Sequence, residues 1–160
     1  MAGSATYKRV MVEVDDVKFY PVEARYALKR DSNHVGRRVG NSVAAKAYIW
    51  ADAHDVHAIS QDDTIALWKF ATETSDPLHK VSITYYAEDG SRVLSNVEFK
   101  GWISVFEYFN PALNGNGAIS GAAMGGGQAA HSMTGYNNLL YMELSVVLDE
   151  SAVSAHKFTK

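Results

Sequence analysis

Cysteine is absent from this 160-residue chain. That absence excludes disulfide scaffolds, thiolate metal centres and thiol nucleophiles. A long apolar run is missing too: nothing approaches the ~20 residues that cross a bilayer as a helix. The first residues, MAGSATYKRV, lack the apolar centre of a secretory signal peptide. The expectation is a protein made in the cytoplasm, outside the general secretory route and not inserted in a membrane. Nor is there a basic excess. The net charge of −3 argues against nucleic acid, whose phosphate field demands a basic stripe.

What is present suits one globular domain. The chain is 47% hydrophobic and 21% charged, long enough to bury a core. The stretch from Lys80 to Phe109 organises it. Val81, Ile83, Tyr85 and Ala87 alternate with polar neighbours, the period-two mark of a strand with one buried face. Asp89-Gly90 then predicts a hairpin turn, after which Val93, Val97 and Phe99 share a face. A third run differs: Ile103, Val105 and Phe109 are expected on one face and Trp102, Phe106 and Tyr108 on the other. Large apolar groups on both faces need cover on both sides, from a helix or another subunit.

Elsewhere, Val10, Val12 and Val14 mark a first strand, with a tight turn at Asp15-Asp16. Val17 to Tyr20 reads as a short strand and Val22 to Arg30 as a longer one, with Pro21 favouring an edge or strand start. Asp31 to Ser42 reads as a loop, and Val43, Ala45, Ala47 and Ile49 restore a strand. Ser60 with Asp63 resembles a capping box. Ile65, Trp68 and Ala71 or Thr72 then predict a short helix whose Trp68 packs on the sheet, ended by Ser75-Asp76-Pro77. Asn110 to Asn137 is Gly-, Ala-, Asn- and Ser-rich and reads as a long loop, disordered in the lone subunit. Leu140, Met142, Leu144, Val146 and Leu148 mark a final strand, and residues 151–160 a peripheral tail.

The candidate chemistry is thin. His54 and His57 would point to opposite sides of an extended chain, and no further ligands complete a metal site. Gly125-Gly126-Gly127 lacks the Lys-Ser/Thr that would follow it in a phosphate cradle. Asp15-Asp16 and Asp62-Asp63 are explained by a turn and a helix start. Trp50, Trp68 and Trp102 could line a sugar platform, but core and interface packing is the simpler reading. No catalytic constellation and no cofactor site emerges, so the chain does not read as an enzyme.

The order of elements resembles a known family: strands, a loop, a strand, one short helix with Leu67-Trp68, a hairpin at Asp89-Gly90, then strands around a Gly-rich loop. It is similar to the tube protein of type VI secretion systems, the Hcp or TssD family, which shares its fold with contractile phage tail tubes. The matching stretches are Glu23-Ala24-Arg25-Tyr26, the Asp31 to Gly40 loop with Gly36-Arg37, the helix from Asp62-Asp63 to Trp68, and Tyr85 to Phe99. The likeness spans roughly Tyr7 to Glu150. The long Asn110 to Asn137 loop and the polar tail depart from it.

The resemblance implies a mainly β fold, a two-sheet β-barrel of the tail-tube type with one short helix, as a single domain with its core over 7–150. It implies a homo-hexameric ring, with Trp102, Phe106 and Tyr108 at subunit interfaces. Stacked rings would make a conduit that passes effector proteins, beside sheath, spike and baseplate partners. The protein would leave the cell through that injection machine. Arg25, Lys29 and Lys46 are then expected to face the lumen. Gly36, Arg37 and Arg38, with Gly125, Gly126 and Gly127, would dock the next ring. The alternative class is a β-sandwich module binding carbohydrate or protein. A small hydrolase is weaker still.

Overall fold

The computed structural model describes residues 8–32, 38–110, 138–148 and 157–159. The strands are β1 (Val10–Val14), β2 (Val17–Phe19), β3 (Glu23–Ser32), β4 (Arg38–Asp52), β5 (His79–Tyr86), β6 (Val93–Phe109), β7 (Leu139–Val146) and β8 (Lys157–Thr159). One helix, α1 (Gln61–Thr72), lies between β4 and β5. Every strand pairing is antiparallel, in the order β2-β1-β5-β6-β7-β4-β3, with β8 on β6.

The path is organised by β6. Its first half pairs with β5, from Val93 to Gly101, and its second half with β7, from Gly101 to Phe109. Gly101 stands where the partners change over. A Cβ there would lie 2.4 Å from the Ser145 carbonyl oxygen, so only glycine lets β7 approach this closely. The sheet wraps round a main core, and side chains link β3 across it to β5 and β6. Tyr85 donates to the Ala24 carbonyl at 3.2 Å, and the Tyr26 and Phe99 rings are 5.5 Å apart. Among the described residues no strand pairing joins β2 to β3, so the barrel is left open there.

The core takes alternate residues from every wall: Val12, Phe19, Ile49, Ile83, Phe99, Met142 and Leu144 are all buried. The β1–β2 turn is locked to β5. Asp15 adopts φ 51°. Its carboxylate accepts from the Lys80 N–H at 2.8 Å and lies 2.7 Å from His79 Nδ1. The buried His79 ring rests 4.4 Å from that of Phe70, tying α1 to the same corner.

Ser60 caps α1 as its pairing with Asp63 predicts. The Asp63 N–H donates to Ser60 Oγ at 3.0 Å, and that hydroxyl donates to the Asp63 carboxylate at 2.7 Å. The face of the helix differs from expectation. Leu67 is the buried anchor, with Ala66, Phe70 and Ala71 partly buried around it, whereas Ile65 and Trp68 are exposed, Trp68 by 54%. Spacing alone offers two apolar stripes here, and the barrel takes the slimmer one.

Three further expectations are corrected. The segment Asp31 to Ser42 is largely strand, since β3 runs to Ser32 and β4 starts at Arg38; residues 33–37 lie outside the description. The polar tail is not merely peripheral, because Lys157–Thr159 pairs with Glu98, Val97 and Asn96. Finally, Ser104 is an extra residue between the pairs Ile103–Leu144 and Val105–Glu143. Such a bulge reverses the alternation beyond it. Ile103, Phe106 and Tyr108 therefore share the core side, and Trp102, Val105, Glu107 and Phe109 the outer side.

Candidate assembly surface

The outer face of β6–β7–β4–β3 carries what an ordinary solvated face would not. Trp50, only 2% exposed, sits with Leu139 and Tyr141 in a second buried cluster separate from the main core. Val22, Tyr48, Val105 and Phe109 are half-buried around it. The Trp50 and Tyr141 rings lie 5.2 Å apart, and Tyr48 stacks 6.5 Å from Trp50 on the other side. Cross-strand register explains the grouping, because Trp50 pairs with Tyr141, and Phe109 with Leu139. Among the described residues the buried Trp50 indole N–H has no hydrogen-bond partner. Beyond the cluster Trp102 is 39% exposed, opposite Ser145.

Charged groups border this apolar ground. Glu143 accepts from Lys46 Nζ at 2.8 Å and from the Tyr141 hydroxyl at 2.6 Å. Burial pushes the Glu143 carboxyl up, but those two hydrogen bonds hold it below its usual range. The bond to Glu143 raises Lys46. Burial first, then the bond to Glu143, drives the Tyr141 phenol far up. Arg25 pairs with Glu23 and lies 5.7 Å over the Trp50 ring.

The residues expected to face a lumen do share one face. Arg25 and Lys29 alternate along β3, and Lys46 is opposite Ala27 between them. It is the same outward face as the aromatic cluster, and two of the three cations are already neutralised by carboxylates. The expected interface trio divides at the bulge: Trp102 is outward, while Phe106, half-buried, and Tyr108, 48% exposed, lie on the core side with their rings 5.8 Å apart. Gly36, Arg37, Gly125, Gly126 and Gly127 lie outside the described residues. Arg38 opens β4 opposite Ser32.

His54 and His57 fall in the turn after β4. Their N–H groups donate to the Asp52 and Asp55 carboxylates, at 2.9 Å each, so these aspartates serve the turn itself. Buried Trp50 cannot join an exposed sugar platform. Sequence reasoning passed over Trp50, Tyr141 and Glu143 as a surface unit. The available signal was aromatic residues recurring on the minority face of two strands, Tyr48 and Trp50 on β4 and Tyr141 on β7.

No family model matches the chain, and no curated protein matches it in sequence. Solved structures do match in fold. Hcp1 from Flavobacterium johnsoniae aligns with a TM-score of 0.56 at 10% identity, over 86% of this chain and 89% of that one. A crystal structure of an Hcp protein aligns at 0.52, also 10% identical, over 86% of both chains. The sheath-tube complex of an extracellular contractile injection system, PVC, in its extended state aligns at 0.46 and 11% identity, over 95% of this chain and 88% of that one. At these identities the likeness is one of architecture: the chain has the fold of the Hcp-type tube proteins.

Proposed function

We propose that this chain is the structural subunit of an injection tube, forming hexameric rings that stack into a hollow conduit for effector proteins in a contractile, type VI secretion-like machine. The observation that carries the reading is a doubly apolar wall within a tube-protein fold. Trp50, Leu139 and Tyr141 make a second cluster behind the main core, and Trp102 stands exposed beside it. Exposed Trp102, with half-buried Val105 and Phe109 along the same side of β6, is the apolar ground that a neighbouring copy would cover. A neighbouring copy seated against the β6 side would bury Trp102, while Arg25 and Lys29 on the β3 side would face the channel.

The role is mechanical, with no catalysis by the chain. Partners of the stacked tube would be a sheath, a spike and a baseplate, met after assembly in the cytoplasm. Segments 31–42 and 110–137 are the proposed contacts between rings. Light scattering and negative-stain imaging test the first step. The expected result is six times the monomer mass and a ring with a central hole, with interfaces each above about 1,000 Å². Trp102→Ser should lower the assembled fraction while leaving the monomer fold intact. A wild-type protein that is only monomeric at micromolar concentration and low salt overturns the proposal.

A further inference from the structure

The way β8 reaches β6 is unusual. Strand β7 runs along the second half of β6, and its line ends where the Val147 N–H donates to the Lys100 carbonyl at 2.9 Å. Strand β8 then resumes the same line, in the same direction, with Lys157 opposite Glu98. Between those points β6 advances two residues, about 7 Å at a strand's rise. The chain spends residues 148–156 on that short gap.

Strand β7 ends at Val146, and the sequence beyond it does not suit a continued register. In unbroken register Asp149 would stand opposite Glu98, and like charges facing each other across a pair are destabilising. The tail instead sets Lys157 opposite Glu98, Phe158 opposite Val97 and Thr159 opposite Asn96. The slot exists because β5 holds one edge of this part of β6 and β7 stops short on the other. It is a strand edge whose backbone groups take whichever short strand fits.

We propose that in the assembled protein this slot is filled by β8 of a neighbouring copy, so that each subunit hands its C-terminal strand to the next. The backbone pairing is identical within a chain and between chains, so exchange forfeits no contact. Leu148 is packed on the core, which leaves residues 149–156 as a tether. Eight extended residues reach about 25 Å at ~3.3 Å each, far more than the local gap requires and enough to cross a subunit boundary. Passing the tail one way round is a head-to-tail contact, which closes only in a ring. The inference rests on the reading that copies of this chain assemble.

Because the chain has no cysteine, every disulfide introduced is readable. Cα atoms of register partners lie about 4.5–5.5 Å apart, within disulfide range. Full-length Asn96→Cys is mixed with size-tagged full-length Thr159→Cys, oxidised mildly, and resolved without reductant, with solution mass read on the same samples. The expected result is a cross-chain disulfide of the mixed species. It should be lost when the donor also carries Phe158→Pro, which removes a backbone N–H from β8, and missing when Lys69→Cys on α1 replaces Asn96→Cys. The Glu98→Cys and Lys157→Cys pair repeats the test if Asn96→Cys folds poorly. An assembled sample in which only the double variant Asn96→Cys/Thr159→Cys closes, and only within one chain, overturns strand exchange and leaves the ring standing. A monomeric sample overturns both.

Discussion

The outward face of β1–β5 and the first half of β6 is largely polar; the outward face of β6–β7–β4 carries a second buried cluster. On the first, Asn96 donates to Ser82 at 2.9 Å and Thr84 at 2.8 Å, and Glu13 pairs with Lys18 at 3.3 Å. On the second, the same cross-strand rows hold Trp50, Tyr141, Leu139 and Phe109. The two walls share a strand and a core, yet only one alternates as a half-solvated sheet does. The difference is one of build: one wall is a single layer over the core, and the other adds a second apolar cluster outside it.

The strongest way to break this comparison is Trp50→Ala. If the second cluster is a true core, truncation should cost about 3–5 kcal/mol, read as a drop in the urea midpoint. A loss under about 1 kcal/mol would reduce the cluster to surface decoration. Next comes Gly101→Ala, which tests the junction between the walls. The clashing atom is a backbone carbonyl and cannot swing aside, so roughly 1–3 kcal/mol should be lost, with hydrogen exchange rising first along β7. On the solvated wall Asn96→Ala removes two donors and strips buried Thr84 of one partner. Thermal melts should show about 1–2 kcal/mol lost and unchanged oligomer mass.

The smallest effect belongs to the pair at the border of the apolar wall. Glu143 is held below its usual 4.5, so its stabilisation is complete above that pH and is lost as pH falls through the lowered value. Lys46 is raised from 10.5, so its share is complete below that pH and is lost as pH climbs through the raised value. The lysine side chain is 43% exposed, and solvent screening keeps the pair to no more than about 1 kcal/mol. Glu143→Gln should therefore flatten the acid limb of the stability profile and lower the neutral plateau only slightly. An unchanged acid limb would show that the pair contributes nothing.

Much of the solvated wall was legible in the sequence. Asp89-Gly90 announced its turn, and Gly90 takes φ 69°. Ser60 and Asp63 announced the helix start, and the alternation from Leu140 to Val146 announced the inner side of β7. These signals are local, carried by residues within a few positions of one another. The apolar wall was harder because its defining event is Ser104, a residue no different in type from any other strand serine. Only the register against β7 makes it a bulge, and that one insertion decides which of Phe106 and Val105 faces the core. The tail strand was illegible for the same reason: Lys157, Phe158 and Thr159 gain meaning only opposite Glu98, Val97 and Asn96. Nor could spacing show that Leu67, not Trp68, anchors the helix, since the barrel chooses the stripe.

The sharing of β6 between the two walls also sets an order of folding. Its first half needs only β5, met across the short turn at Asp89-Gly90, and β1 and β2 lie upstream. Its second half must wait for β7, which begins at Leu139, after residues 110–138 have been made. Closing that longer loop costs more entropy and is slower than closing the hairpin. On the ribosome the solvated wall can therefore form while Trp50 and Val105 still lack Tyr141 and Leu139. For that interval the growing chain exposes the sticky side of β4, and its escape from aggregation depends on how soon β7 emerges.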